Sequence, residues 1–347
     1  MDMNQYGKFA KKTKEIFPYE RGIALLHQRN WCEAILEFAK CKPTPDEPNL
    51  AARMHIARCL IHLGKKGGAL LIMDELEKEG ASMGQLYFER GRLKTHLGDT
   101  NGAIADFTTT IGLKYNVKNA HYFRGRAYRY NGEYEEALMD FQKAENMGYF
   151  YPKLYYEWAR VFFELGQFAE ALQKVERALE AGFDVGFAYY MRGVCMAKTD
   201  ALSNKKSVQD FDKALELGYR KPCLFLNRGI SKYKLRDFRA AKEDFEAVIE
   251  NDPADKNAIF YLGGCLVHLE EYDDAIRVLK KIGADMEHNG TYNYLLAKAN
   301  LGLGRHDSAL MHGKKAKACR FHGYKKLQTL LEKAEAGSHS SRHIHNR

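Results

Sequence analysis

Residues 118–151 read KNAHYFRGRAYRYNGEYEEALMDFQKAENMGYFY and alternate small and large residues at helical spacing. A small residue, Gly125, lies within a first helical segment, and Gly132 interrupts the helical pattern shortly after it. Ala137 and Phe141 then lie four residues apart in a second segment. Small residues let two helices approach closely, and large residues fill the gap between them. The stretch therefore predicts two amphipathic helices joined by a tight turn.

The same pattern recurs along the chain at intervals of about 34 residues. Its first small residue falls at Gly22, Ala57, Gly91, Gly125, Ala159, Gly193, Gly229, Gly263 and Ala297. Sixteen residues after most of these, a large side chain fills the next core position: Phe38, Met73, Phe107, Phe141, Val175, Phe245 and Leu279. One copy of the pattern would be weak evidence, whereas nine copies in register are strong evidence for a repeat protein.

The period and the order of small and large residues resemble the tetratricopeptide repeat (TPR) superfamily. This resemblance implies an all-α fold, a right-handed α-solenoid superhelix of helix-turn-helix repeats. Each unit of a solenoid buries its apolar face against its neighbours, so length adds repeats and not domains. We expect a polar lead-in at residues 1–14, nine repeats at 15–319, a capping helix at 320–336 and a disordered basic, histidine-rich tail at 337–347.

Composition indicates a soluble intracellular protein. No run of 18 or more apolar residues predicts a membrane span, and the N-terminal sequence lacks the apolar core of a secretion signal. The seven cysteines include no CxxC pair, which favours free thiols in a reducing compartment such as the cytoplasm. The net charge of +9 is concentrated near the end, where residues 314–347 hold nine basic side chains against two acidic ones. Such an end attracts acidic proteins, nucleic acid or anionic lipid.

The first helix of each TPR unit lines the inner groove of the family, and the resemblance implies which positions face it. The position after the small residue is an arginine in four consecutive repeats: Arg58, Arg92, Arg126 and Arg160. A second inward position holds aromatic residues: Phe88, Tyr122, Tyr156 and Tyr190. Arg129, one turn beyond Arg126, adds a further charge. These nine residues are the predicted partner-binding groove.

Arginine offers two-pronged donors to carboxylates, and aromatic rings supply rigid contact area, so the groove is predicted to hold an acidic segment of a partner protein. A purely structural interpretation is also open. Glu89 and Glu157 precede Arg92 and Arg160 by three residues and can pair with them on the same helix. The aromatic side chains can equally pack between repeats.

The remaining motifs predict no catalysis. No phosphate-binding loop, nucleophile elbow or HExxH motif occurs, so we expect a non-enzymatic scaffold without a cofactor. Three tail histidines, His339, His343 and His345, lack the further ligands that a metal site needs. The arginine of the recurring Arg-Gly dipeptides (Arg21, Arg90, Arg124, Arg192 and Arg228) is predicted to run its stem over the packed neighbouring helix.

A single-stranded nucleic-acid-binding protein is the alternative function. Helical-repeat proteins of similar period read single-stranded RNA, and arginine with aromatic residues is a suitable surface for it. Against this alternative, the repeats as a whole are nearly neutral and present no code of polar side chains, one set per repeat. The partner's identity, the pathway and the oligomeric state do not follow from the sequence.

Overall fold

The computed structural model describes the backbone of residues 17–41, 49–319 and 321–345, and the side chains of these ranges except at 201, 324 and 337–345. Within them the chain consists of α-helices and one short 3-10 turn, and no strand is found there. The predicted all-α solenoid is confirmed, while the right-handed sense of its superhelix stays a prediction. The predicted lead-in at 1–14 lies outside the described residues.

The helices form one consecutive pair for each of the nine predicted repeats. The pairs are α1 (Pro18–His27) with α2 (Trp31–Ala39), α3 (Leu50–His62) with α4 (Lys66–Lys78), α5 (Gly84–Leu97) with α6 (Thr100–Gly112), α7 (Val117–Asn131) with α8 (Tyr134–Asn146), α9 (Pro152–Glu164) with α10 (Phe168–Glu180), α11 (Gly186–Thr199) with α12 (Asn204–Glu216), α13 (Pro222–Lys234) with α14 (Phe238–Asn251), α15 (Lys256–His268) with α16 (Tyr272–Lys280), and α18 (Gly290–Gly302) with α19 (His306–Ala318). The short α17 (Gly283–Met286) follows α16, and α20 (Tyr324–His345) follows the last pair. The chain divides into two compact units, 1–154 and 155–347.

The large side chains that the repeat pattern predicts in the core are fully buried. All seven have no exposed surface: Phe38, Met73, Phe107, Phe141, Val175, Phe245 and Leu279. In repeat 6 the two additional residues form part of a 3-10 turn (Ala201–Ser203), and the equivalent buried ring is Phe211. The core of this protein is therefore a series of small clusters between successive helices, as expected for a solenoid.

Glycine sits at the two kinds of turn where the backbone is left-handed. Inside the units Gly64, Gly98, Gly132 and Gly166 have φ between 73° and 85°, a region in which glycine carries no steric penalty. Between units Gly148, Gly182 and Gly218 have φ between 81° and 83°. The aromatic residue after each of these packs on the first helix of its own repeat: Tyr149 on Tyr122 at 4.8 Å, Phe183 on Tyr156 at 4.6 Å and Tyr219 on Tyr190 at 5.1 Å between ring centroids.

An arginine–aspartate pair joins the two helices of four repeats. The pairs are Arg90–Asp106, Arg124–Asp140, Arg192–Asp210 and Arg228–Asp244. Each guanidinium donates two parallel bonds, which in Arg124 run from Nε and Nη2 to the Asp140 carboxylate at 2.7 and 2.9 Å. These are arginines of the Arg-Gly dipeptides, so the predicted packing role is incomplete: their main contact is a buried carboxylate on the second helix.

The last repeat is closed by α20. Gly313 stands where the other repeats have a large residue, and Leu331 of α20 approaches it so closely that a Cβ on Gly313 would lie 2.7 Å from its Cδ2. The sequence predicted a capping helix at 320–336 and disorder at 337–347, but the helix runs from Tyr324 to His345. A lone Gly337 costs a helix about 1 kcal/mol and does not end it. The side chains of His339, His343 and His345 lie outside the described part.

Within the described ranges, no helix combines the length and the apolar character that crossing a lipid bilayer requires. Of the seven cysteines, Cys59, Cys195 and Cys265 are buried, and burial raises the pKa of both the Cys195 and the Cys265 thiol to about 12. These three thiols behave as small core residues.

Candidate functional site

In the first unit, two of the predicted groove arginines line one cavity. Arg58 of α3 and Arg92 of α5, which lie 34 residues apart in sequence, border a space of about 180 Å³. The other lining residues are Ile61, His62, Lys66, Glu89, Leu93 and His96. The periodicity therefore places equivalent side chains of successive repeats around a common cavity.

A second cavity of about 290 Å³ adjoins the first, because Arg58 and His62 line both. Its remaining walls come from α1, α2 and α3: Ile23, Leu26, His27, Trp31 and His55. We name the two cavities together the arginine cleft. The Trp31 ring stacks on the His62 ring with centroids 4.2 Å apart, so the wall between the two cavities is held by a face-to-face contact.

The arginines of the first unit differ in how firmly they are held. Arg58 is exposed, and the described residues provide it with no ion pair. Arg92 pairs with Glu89 one turn back on α5 at 3.1 Å, and its guanidinium lies 5.3 Å from the Phe123 ring of the next repeat. Arg126 lies near three rings, 5.7 Å from Tyr122. Aromatic faces attract guanidinium groups, so these rings help to hold Arg92 and Arg126 in place.

Cationic groups concentrate around the cleft. Burial lowers the pKa of His96, and the charges of Lys66, Arg126 and Arg92 lower it further. Burial raises the pKa of Tyr149 to about 12, although Arg126 and Arg92 act in the opposite direction. The positive charges of Arg92 and Arg126 therefore act on both His96 and Tyr149.

Arg160 belongs to the second unit and is tied down on its own helix. It lies 3.9 Å from Glu157 and 3.8 Å from Glu164, with its guanidinium 5.5 Å from the Phe187 ring. The alternative that the sequence left open, pairing of Arg92 with Glu89 and of Arg160 with Glu157, is therefore what the structure shows.

Most of the predicted aromatic residues are not surface contacts. Phe88, Tyr122 and Tyr190 are 6%, 2% and 6% exposed, and only Tyr156 is partly accessible. Arg129 is also buried, 5% exposed, with its guanidinium 4.3 Å from the Tyr130 ring. Rings from the same repeat cover the buried aromatic residues: Tyr149 packs on Tyr122, Tyr219 packs on Tyr190, and Tyr115 packs on Phe88. The Phe88 and Tyr122 rings lie beneath the guanidinium groups of Arg92 and Arg126, so we do not propose the buried aromatic residues as partner contacts.

The cleft contains residues that the sequence reading missed. His62 and His96 each lie four residues after a groove arginine, on the same helical face one turn further along. Their spacing is again 34, so the period was the available signal. Trp31 and Lys66 both begin second helices, a position that is aromatic in other repeats, as at Tyr134 and Phe168, so the period marked Trp31 while Lys66 departs from it.

The architecture is that of a helical-repeat protein in which pairs of helices stack and a cleft opens on the first helices. The family model described as tetratricopeptide repeat matches residues 88–148, 156–220 and 226–289, more than half of the chain. The protein therefore belongs to the tetratricopeptide repeat family. No curated protein matches the chain.

Several solved structures are similar. One is a tetratricopeptide repeat protein from Parabacteroides merdae, with 19% identity, 73% of this chain and 98% of that chain covered, and a TM-score of 0.45. Another is YrrB, described as a TPR protein with an unusual peptide-binding site, with 22% identity, 54% and 95% coverage and a TM-score of 0.47. A third is MamA from Desulfovibrio magneticus RS-1, with 20% identity, 50% and 97% coverage and a TM-score of 0.44.

Proposed function

We propose that this protein is a non-enzymatic scaffold or adaptor that binds an acidic segment of a partner protein in the arginine cleft. The observation that carries the proposal is the convergence of Arg58 and Arg92 on one cavity, which continues past Arg58 into a second. A peptide lying along both cavities meets arginine, lysine and histidine side chains in succession. Membership of the tetratricopeptide repeat family supports a role in assembling protein complexes, and we expect it in the cytoplasm.

The charge of the cleft sets the chemistry of the partner. Arg58, Arg92 and Lys66 face the first cavity, against which Glu89 supplies a single carboxylate already bonded to Arg92. An excess of cations at a partly enclosed surface favours Asp- and Glu-rich ligands and accelerates their association. Arginine binds carboxylates through two parallel bonds, so an extended or helical acidic segment can be held in a defined register.

The apolar lining gives the cleft contact area in addition to charge. Ile23, Leu26 and Trp31 border the second cavity, and Ile61 and Leu93 border the first. Pockets that combine apolar walls with a few polar groups are typical of binding sites. We therefore propose an acidic segment that also carries one or two apolar side chains.

The direct test measures binding of fluorescently labelled 12-residue peptides that alternate Glu with Leu, against peptides in which Gln replaces Glu. We expect the acidic peptide to bind more tightly, and Arg58→Glu with Arg92→Glu to weaken it by at least about tenfold, since one lost charged contact is worth on the order of 1.4 kcal/mol or more. Lys118→Glu with Lys143→Glu is the matched control, because both lysines are exposed in the same unit and line neither cavity.

Equal binding of both peptides, or an equal loss in the control variant, would contradict the proposal. A single-stranded oligonucleotide of matched charge tests the alternative function. If the oligonucleotide binds more tightly than the peptide and steeply loses affinity with added salt, the cleft is a nucleic-acid site.

A further inference from the structure

A cavity in the second unit collects positive charge that the proposed scaffold function does not use. It measures about 480 Å³ and lies where the turn between α13 and α14 meets the end of α15, the middle of α18 and the start of α20. Four cationic side chains line it: Lys234, Arg236, Lys298 and Lys326. Its walls are aromatic, formed by Tyr233, Phe238, His268 and Tyr294.

No carboxylate is among the residues that line this cavity. Asp237, adjacent in sequence to Arg236, accepts a hydrogen bond from the Ala240 N–H at 3.2 Å and so caps α14. Glu270 acts on Lys298 electrostatically but does not line the cavity. The site thus has four cations and no built-in counter-charge.

The basic side chains on the neighbouring stretch of α13 are treated differently. Arg228 and Lys232 both contact the buried Asp244 carboxylate, at 2.5 and 2.9 Å. In the described part of the chain none of the four cavity cations forms such an ion pair. Arg228 and Lys232 are thus neutralised by an aspartate within the fold, whereas the four cations that line the cavity are available to bind an anionic ligand.

The four cations repel one another, and this repulsion disfavours the charged form of Lys298. Burial lowers the pKa of Lys298, and Lys326 lowers it further, with Glu270 opposing them. Arg236 adopts a left-handed backbone with φ 63°, as Arg29 and Glu270 do at the same turn position, where five other repeats have glycine. Charge repulsion that the surrounding structure maintains is characteristic of ligand sites.

We propose that this cavity binds a compact soluble anion that carries several phosphate groups. A single carboxylate or phosphate would leave most of the four charges unneutralised, whereas a polyphosphate matches them. Arg236 suits two-pronged contacts to phosphate oxygens and the lysines act as point charges. Convergence of the cations on one cavity fits phosphates clustered on a small carrier better than a nucleic-acid backbone, which needs an extended track.

Titration calorimetry on the full chain, in buffer free of phosphate, tests this assignment. The probes are tripolyphosphate, inositol hexakisphosphate and ATP, compared with inorganic phosphate, citrate and a single-stranded oligonucleotide. We expect the polyphosphates to bind at least tenfold more tightly than inorganic phosphate and citrate, with affinity falling as salt is added. The carrier that binds best, inorganic chain, inositol or nucleotide, identifies the source of the phosphates.

Two variants locate the binding. Lys298→Gln with Lys326→Gln removes two cations, and Arg236→Gly places glycine at a left-handed position that glycine occupies in Gly64, Gly98, Gly132 and Gly166. Both are expected to fold and to lose at least tenfold in polyphosphate affinity. The matched control is Lys205→Gln with Lys206→Gln, two exposed lysines of the same unit that do not line the cavity, and it should bind normally.

Three results would overturn the proposal: polyphosphates binding no better than inorganic phosphate, citrate binding as tightly as tripolyphosphate, or cavity and control variants losing affinity equally. Preferential binding of the oligonucleotide would replace a soluble anion with nucleic acid as the ligand. The outcome is independent of the arginine cleft, because the variant with Arg58→Glu and Arg92→Glu, which belongs to the other unit, is expected to retain polyphosphate binding.

Discussion

The ring of Phe141 occupies the space that a side chain on Gly125 would need, so that an ideal Cβ on Gly125 would lie 2.8 Å from Cε1 of Phe141. The same close approach joins Gly22 to Phe38, Gly91 to Phe107, Gly193 to Phe211, Gly229 to Phe245 and Gly263 to Leu279. Where alanine replaces the glycine, the partner position holds a side chain without a ring: Met73 opposite Ala57, and Val175 opposite Ala159. Size is therefore matched across the helix pair.

This matching predicts that Gly125→Ala lowers stability although alanine is the better helix former. Overpacking of a tight core contact costs about 1–3 kcal/mol, which exceeds the gain of about 1 kcal/mol in helix propensity. Combining it with Phe141→Met, after the Ala57–Met73 pair, should cost less than the sum of the two single changes. The midpoint of urea unfolding, followed by circular dichroism, measures all three variants.

Gly112→Ala is the control, because Gly112 ends α6 and a Cβ there meets nothing within 4 Å. It should leave stability unchanged or raise it slightly. Additive effects of Gly125→Ala and Phe141→Met, or a stabilising Gly125→Ala, would show that the contact does not restrict the size of residue 125.

The period of the small and large residues was enough to predict the fold, because the same contact is made in every repeat. The site residues were harder to predict than the fold, because Arg90 and Arg92 recur with the same period. The two arginines lie two residues apart on α5 and therefore point in opposite directions. Only Asp106, sixteen residues after Arg90, distinguishes the structural arginine from the one that faces the cleft. Burial of Phe88 and Tyr122 depended on rings from elsewhere in the chain, which spacing along one helix does not reveal.

The Arg124–Asp140 pair should make the stability of the first unit sensitive to acid. Burial alone would raise the pKa of Asp140, but hydrogen bonds from Arg124 and His121 outweigh it and lower that pKa below its usual 3.8. A carboxyl whose pKa is lower in the folded state stabilises the fold above the unfolded-state pKa. That contribution disappears as the pH falls below about 4. Asp140→Asn should lower stability at pH 7 by about 3 kcal/mol, since it leaves Arg124 buried without its counter-charge, and should flatten the loss between pH 5 and pH 2.

Urea unfolding midpoints at pH 7, 5, 4 and 3 measure both effects. Asp212→Asn is the comparison, because Asp212 is half exposed and its partner Arg228 keeps Asp244. It is expected to change stability by less than about 1 kcal/mol. An Asp140→Asn protein with the stability and the acid response of the natural chain would mean that the pair contributes nothing.

Repeat 5 replaces the arginine–aspartate pair with a different contact between the same positions. Trp158 stands where other repeats have the arginine, and Lys174, sixteen residues later, stands where they have the aspartate. The Lys174 ammonium lies 3.4 Å from the Trp158 ring centroid, a cation–π contact. We expect Trp158→Arg alone to destabilise the second unit, because it opposes two cations, and the added change Lys174→Asp to recover part of the loss by recreating the pair of the other repeats.

The measurement is the melting temperature of the two single variants and the double variant. A double variant less stable than Trp158→Arg alone would show that the two positions do not form an exchangeable pair in this repeat. Lys174→Asp alone serves as the reference for the new carboxylate without its arginine.

Replacing Arg129 with glutamate should lower the stability of the protein, whereas the same replacement of Arg58 should lower only peptide binding, although both residues were predicted to line the groove. Arg129 is 5% exposed, so Arg129→Glu places a carboxylate in a buried site built around a cation and is expected to lower stability by several kcal/mol. Arg58 is exposed, so Arg58→Glu should change stability by less than about 0.5 kcal/mol while weakening acidic peptide binding. Thermal unfolding and peptide titration on the two variants separate the effects, and a fully stable Arg129→Glu protein would contradict the burial.

The cationic cavity of the second unit predicts a pH effect on stability around His268. Its ring stacks on Phe238 with centroids 4.1 Å apart and faces Tyr233, while desolvation followed by the charges of Lys298, Arg236 and Lys326 lowers its pKa to about 4. A histidine whose pKa is lower in the folded state binds protons mainly when unfolded between pH 6.5 and 4, so stability falls as the pH is lowered through that window.

Lys298→Gln with Lys326→Gln should raise the melting temperature at pH 7, because it relieves the repulsion among the cations of the cavity. It should also reduce the decline of the melting temperature between pH 7 and pH 5, because two of the three cations that lower the pKa of His268 are then gone. His268→Gln isolates the histidine: it should reduce the decline more than the lysine variant does, while Lys205→Gln with Lys206→Gln keeps the natural slope. Melting temperatures in acetate and cacodylate buffers, which contain no phosphate, provide the comparison. A lysine variant that melts lower at pH 7, or declines as steeply as the natural chain, would show that the four cations do not repel one another across this cavity.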